Sequence, residues 1–90
     1  MKSYIVQCKE TKKYFIVDFY LTHIASVSLT EDKNSATVFS DEGDDLIFPN
    51  GKVSLNKIKT TEFNLFLLQR NMINKCNAEE VNINQNKVLK

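Results

Sequence analysis

Glycine occurs only at Gly43 and Gly51, and histidine only at His23. Two glycines are too few for a glycine-rich phosphate loop, and His23 is the sole candidate for any imidazole acid or base. Neither G-x-S-x-G nor H-E-x-x-H is present, which excludes the nucleophile elbow and the helical zinc-protease site. His23 is therefore expected to be a surface or turn residue. Cysteine is also scarce: Cys8 and Cys76 lie far apart, with no C-x-x-C. That spacing argues against a zinc site or redox motif and supplies no disulfide framework, so two reduced, partly buried thiols are expected. No apolar run approaches the ~20 residues of a membrane helix. The stretch from Tyr4 to Lys9 lacks the long apolar core of a signal peptide. The expectation is a cytoplasmic protein with no membrane partner.

What is present suits a folded chain. Apolar residues make up 42% and charged residues 26% of the 90 positions, close to the averages of globular proteins. A chain this short has interior for one core. The expected organisation is a single domain over 1–84 with a frayed tail over 85–90.

Alternation dominates the first two thirds. Ser3 to Lys9 sets Tyr4, Val6 and Cys8 on one face and Ser3, Ile5 and Gln7 on the other, the pattern of a half-buried strand. A polar turn at Glu10, Thr11 and Lys12 leads to a dense aromatic and β-branched run from Lys13 to Tyr20, so the pair predicts a hairpin. Ala25, Val27 and Leu29 predict a third strand. Ala36 to Phe39 can be its partner, or Thr30 can cap a helical turn through Glu31, Asp32 and Lys33. Asn50-Gly51 between two apolar runs predicts a second hairpin, with Pro49 at its margin. Near Thr60 the period changes. Phe63, Phe66, Leu67 and Ile73 fit one helical face, predicting a helix over 61–75 capped by Thr60 or Thr61; a buried strand over 64–67 is the alternative. Val81 and Ile83 suggest a short last edge strand.

Charge is unevenly placed. Net charge is +1, yet residues 31–50 set only Lys33 against Glu31, Asp32, Asp41, Glu42, Asp44 and Asp45. Asp41, Glu42, Asp44 and Asp45 are the preferred interaction site. Their spacing lacks the alternate ligands and distal Glu of a calcium loop. A solvated acidic turn, or contact with a basic protein surface, explains them better than a metal. The segment from Lys12 to Phe19 compares with the aromatic strand of an RNA-recognition motif at Lys12, Tyr14, Val17 and Phe19. It has Lys13 where that motif has glycine, Phe15 where it has a small residue and Ile16 where it has an aromatic, so the rings are assigned to the core. Lys12, Lys13, Tyr14 and Tyr20, with Lys52, Lys57 and Lys59, form the candidate set for an alternative nucleic-acid-binding function. Lys52, Lys57 and Lys59 also suit a solvated strand edge.

Tyr4-Ile5-Val6-Gln7-Cys8-Lys9-Glu10-Thr11-Lys12-Lys13-Tyr14-Phe15, followed by the stretch from Leu29 to Phe39, resembles a pattern in short uncharacterised proteins of phages and prophages from low-GC Gram-positive bacteria. In that pattern a Lys-Glu-Thr hairpin precedes a Thr-acidic-Asp segment ending in Ala-x-x-Phe. Small accessory proteins of this sort include inhibitors of host defence nucleases such as anti-CRISPR proteins. The resemblance covers less than half of the chain and carries over no functional residue; it implies binding rather than an activity.

These observations together predict an α+β fold: an antiparallel β-meander of five or six strands packed against one C-terminal helix. Val6, Phe15, Val17, Phe19, Val27, Phe39, Ile47, Phe63, Phe66 and Leu67 are its expected buried side chains. The expected function is a non-enzymatic protein-binding modulator without cofactor, an inhibitor of a host defence nuclease being the specific case. The expected partner is a protein with a basic surface.

Overall fold

The computed structural model describes residues 2–81. The strands are β1 (Ser3–Cys8), β2 (Tyr14–Tyr20), β3 (His23–Thr30), β4 (Val38–Ser40), β5 (Leu46–Ile47), β6 (Val53–Leu55) and β7 (Cys76–Val81), with one helix, α1 (Lys57–Gln69), between β6 and β7. No helix among the described residues is long and apolar enough to cross a membrane.

The fold is α+β, but the sheet is mixed rather than an antiparallel meander. Its order is β3-β2-β1-β4-β6-β5, with β7 also paired to β1. β4 and β6 are parallel, with Val38 opposite Ser54 and Phe39 opposite Leu55. The chain passes from β4 through the acidic turn to β5, and the Pro49-Asn50-Gly51 turn then returns β6 into the space between them. Gly51 has φ +82°, and its N–H donates to the Phe48 carbonyl, the left-handed geometry that Asn-Gly supplies readily. β6 fits this inner position because Ser54, small and fully buried, accepts a hydrogen bond from the Ser3 hydroxyl.

β1 organises the sheet. One edge pairs with β7 from Ser3–Val81 to Cys8–Cys76. The other edge is shared: β4 holds its start (Ser3–Ser40, Tyr4–Phe39) and β2 its end (Gln7–Tyr14). β2 therefore splays away from β1, and Thr37 fills the gap. The Thr37 Oγ1 accepts from the Val17 N–H at 2.7 Å and donates to the Val17 carbonyl at 3.3 Å, while the Thr37 N–H donates to the Phe15 carbonyl. Ala36 to Phe39 is thus not the partner of β3. A 3₁₀ turn, Lys33–Ser35, precedes it, capped by the Asp32 carboxylate rather than by Thr30.

Being central, β1 is covered on both faces, so Ile5 is buried beside Val6, which half-burial by alternation did not anticipate. Val6, Cys8, Phe15, Val17, Phe39, Phe63 and Leu67 form the core beneath α1, with Phe19, Val27 and Phe66 half-buried against it. Ile5, Ala36 and Val38 pack on the opposite face with Tyr14 and Val81. Ile47 is the exception among the predicted core residues, at 75% exposure. β5 is an outer strand whose alternation sends Phe48 inward and Ile47 to solvent.

The helix starts four residues earlier than predicted and ends six earlier. The Asn56 side chain caps it by accepting the Lys59 N–H at 3.0 Å. Thr60 lies inside the helix, buried, its hydroxyl bonded to the Ser40 and Asn56 carbonyls. Thr60, Phe63 and Leu67 make the buried stripe. Asn71, at φ +55°, turns the chain out of the helix, and Ile73 lies in a separate 3₁₀ turn, Ile73–Lys75. β7 begins at Cys76; Ile83 and the predicted tail over 85–90 lie outside the described residues.

Candidate functional site

The acidic segment joins β4 to β5 and is clamped at both ends to the start of α1. The Glu42 N–H donates to the buried Ser40 hydroxyl at 3.0 Å, and the Glu42 carbonyl accepts from the Lys57 N–H at 2.6 Å. Asp45 Oδ1 accepts the Asn56 N–H at 2.8 Å, while Oδ2 pairs with Lys59 Nζ at 3.1 Å. These bonds satisfy backbone donors that a helix leaves unpaired in its first turn, and the negative charges sit at the favourable end of its dipole. A Cβ at Gly43 would meet nothing within 4 Å and its φ is unremarkable. The shape of the turn is held by its hydrogen bonds, not by glycine.

The four acids consequently divide. Asp41 and Asp44 are exposed and Glu42 is half-buried, all available to a partner, whereas both Asp45 oxygens are engaged within the fold. Burial, chiefly, and the nearby Asp41 charge push the Tyr4 phenol up, against the lowering effect of a hydrogen bond from Asn64. Asp45→Ala is expected to lower stability by about 1 kcal/mol, the worth of a cap-like hydrogen bond. Asp44→Ala should change it by less than ~0.5 kcal/mol. Urea denaturation of the two variants checks the difference.

The alternative nucleic-acid set is dispersed. Lys12 and Lys13 lie at the β1–β2 turn, while Tyr20, 72% exposed, is at the far end of β2, about 20 Å away along the strand. The half-buried Tyr14 hydroxyl donates to Glu79 at 3.4 Å, and Glu79 also pairs with Lys33 at 2.6 Å, which raises the Lys33 pKa. Lys52 reaches the Asn34 carbonyl, and Lys57 and Lys59 stand beside the acidic turn. Carboxylates occupy part of the set: Glu79 holds the Tyr14 hydroxyl and Asp45 holds Lys59.

A surface not predicted lies between β3 and α1. An open groove of about 560 Å³ is lined by Ile24, Val27, Leu65 and Phe66, with Glu62 and Arg70 among its polar residues. The exposed His23 stands at its edge. The Arg70 guanidinium lies over the Phe66 ring at 3.8 Å and makes no ion pair among the described residues. β3 pairs only with β2 among the described residues, leaving its other edge open. Its signal was readable: no Lys, Arg, Asp, Glu or Pro occurs over 19–30, so the usual protections of an edge strand are missing. Among the described residues no group of three or more His, Cys, Asp or Glu side chains is placed to hold a metal ion. Comparison with protein-family models, curated proteins and solved structures finds no match to this chain.

Proposed function

We propose that this chain is a non-enzymatic protein that binds and modulates another protein through the acidic turn, the resemblance to phage accessory proteins favouring a host defence nuclease as target. The observation that supports this reading is the clamped geometry of the turn. Asp41, Glu42 and Asp44 are carried on a turn whose Glu42 backbone is held by Ser40 and Lys57 and whose Asp45 carboxylate is held by Asn56, so little ordering entropy is lost when a basic surface docks. Opposite charges of this kind accelerate encounter and set orientation.

The test is capture of partners from host lysate, after nuclease treatment, by the wild-type chain and by Asp41→Asn/Glu42→Gln/Asp44→Asn. A partner retained by wild type and lost by the triple variant supports the reading. Equal retention by both overturns it. Capture that vanishes with nuclease moves the function to nucleic acid.

The open edge of β3 favours a second contact for the same class of function. An extended segment of a protein partner would add as a strand, place an apolar side chain against Leu65 and Phe66, and set a carboxylate on Arg70. Ser28→Lys, which puts a charge on the exposed edge strand, should weaken such binding about tenfold without lowering thermal stability. Unchanged affinity would exclude that contact.

A further inference from the structure

Cys8 and Cys76 are separated by most of the chain, but the fold sets them directly opposite each other on antiparallel β1 and β7. The Cys8 backbone is turned away from β7: its N–H donates to the Lys13 carbonyl and its carbonyl accepts from Lys12, both at 2.8 Å. The next residue supplies the bond to the C-terminal segment, from the Lys9 N–H to the Lys75 carbonyl at 2.9 Å. Cys8 and Cys76 are therefore a non-hydrogen-bonded pair, the closer kind, with Cα atoms about 4.5 Å apart and side chains on one face. That separation falls within the span a disulfide bridges. Both thiols are free, Cys8 buried in the core under α1 and Cys76 half-buried beside it.

We propose that Cys8 and Cys76 form a dithiol–disulfide site that exchanges with low-molecular-weight disulfides and, when oxidised, bolts β7 to β1. Cys76, the more accessible sulfur, attacks one sulfur of the small disulfide as its thiolate, forming a mixed disulfide and releasing one small thiol. Cys8 then attacks the Cys76 sulfur and expels the second. The two protons lost by the protein are taken up by the two released thiols, so one small disulfide is reduced for each protein disulfide formed. Hydrogen bonds from Thr11 hold the Cys8 thiol below its usual pKa, which favours its resolving role; burial, and then the neighbouring Cys8, raise Cys76. This inference stands apart from the proposed binding function.

The experiment treats the full wild-type chain with oxidised glutathione under native conditions, followed by non-reducing peptide mapping and thermal melting. The expected product is a monomer that has lost two hydrogens, with Cys8 and Cys76 peptides linked and the midpoint raised by about 10 °C. Dithiothreitol should reverse both changes. Cys76→Ser should give neither the link nor the rise. A wild-type chain that stays reduced, stops at glutathione adducts or links only between molecules would overturn the proposal.

Discussion

Phe63→Ala should be the most damaging single truncation in the molecule, lowering unfolding free energy by about 3–5 kcal/mol. Phe63 is 1% exposed and touches rings from three elements: stacked on Phe39 of β4 at 5.0 Å, edge-on to Phe15 of β2 at 5.3 Å, and near Phe66 of its own helix at 6.1 Å. Removing it takes away the side chain through which α1 holds two strands that are not neighbours in the sheet. A chain of 90 residues has roughly 5–13 kcal/mol in total, so the variant should be largely unfolded in low urea. Phe63→Leu keeps much of the volume and should cost about 1–2 kcal/mol. Phe66→Ala should be similarly mild, because Phe66 is half-buried. Equal losses for Phe63→Ala and Phe66→Ala in urea titration would show that the helix is not anchored at Phe63.

Thr37→Val should cost about 2–4 kcal/mol, although the two side chains have nearly the same shape. The hydroxyl both accepts from the Val17 N–H and donates to its carbonyl, and valine leaves both groups without that partner where β2 splays from β1. Each orphaned group in a part-buried position costs about 1–3 kcal/mol. Thr37→Ser retains both bonds and should cost less than ~1 kcal/mol. Hydrogen exchange separates this local effect from a general loss: the Val17 amide should lose protection in Thr37→Val beyond what the fall in global stability explains. If Thr37→Ser and Thr37→Val are equally destabilised, the hydroxyl is not the bridge.

Features whose cause is local were legible. The β1–β2 hairpin, the Asn50-Gly51 turn and the presence of one helix carrying Phe63 and Leu67 on its buried face all follow from alternation, turn chemistry and helical spacing within short windows. The helix start was missed because the apolar stripe becomes legible only at Phe63, which drew the boundary to the nearby Thr60 and Thr61, although Asn is at least as good a cap as Thr; Thr60 is instead occupied by the Ser40 carbonyl, a partner twenty positions away. Ile47 was misplaced because a short apolar run does not show which of its residues turns inward; β5 lies at the end of the sheet order, with Phe48 buried and Ile47 exposed. Ile5 was missed because alternation cannot show that a strand is covered on both sides.

The candidate site divides in the same way. That Asp41, Glu42, Asp44 and Asp45 cluster is a property of the chain; that Asp45 is consumed by Asn56 and Lys59 while the other three face outward appears only once the turn docks on α1. The uncharged run before Glu31 marks an unprotected strand, but only the sheet order shows that its edge is open. Strand and turn character are set by interactions between residues a few positions apart, which composition and spacing encode directly. The parallel β4–β6 pair, the gap closed by Thr37 and the meeting of Cys8 with Cys76 join residues distant along the chain. Such pairings depend on how all the strands share the two edges of β1, a competition that no local pattern records.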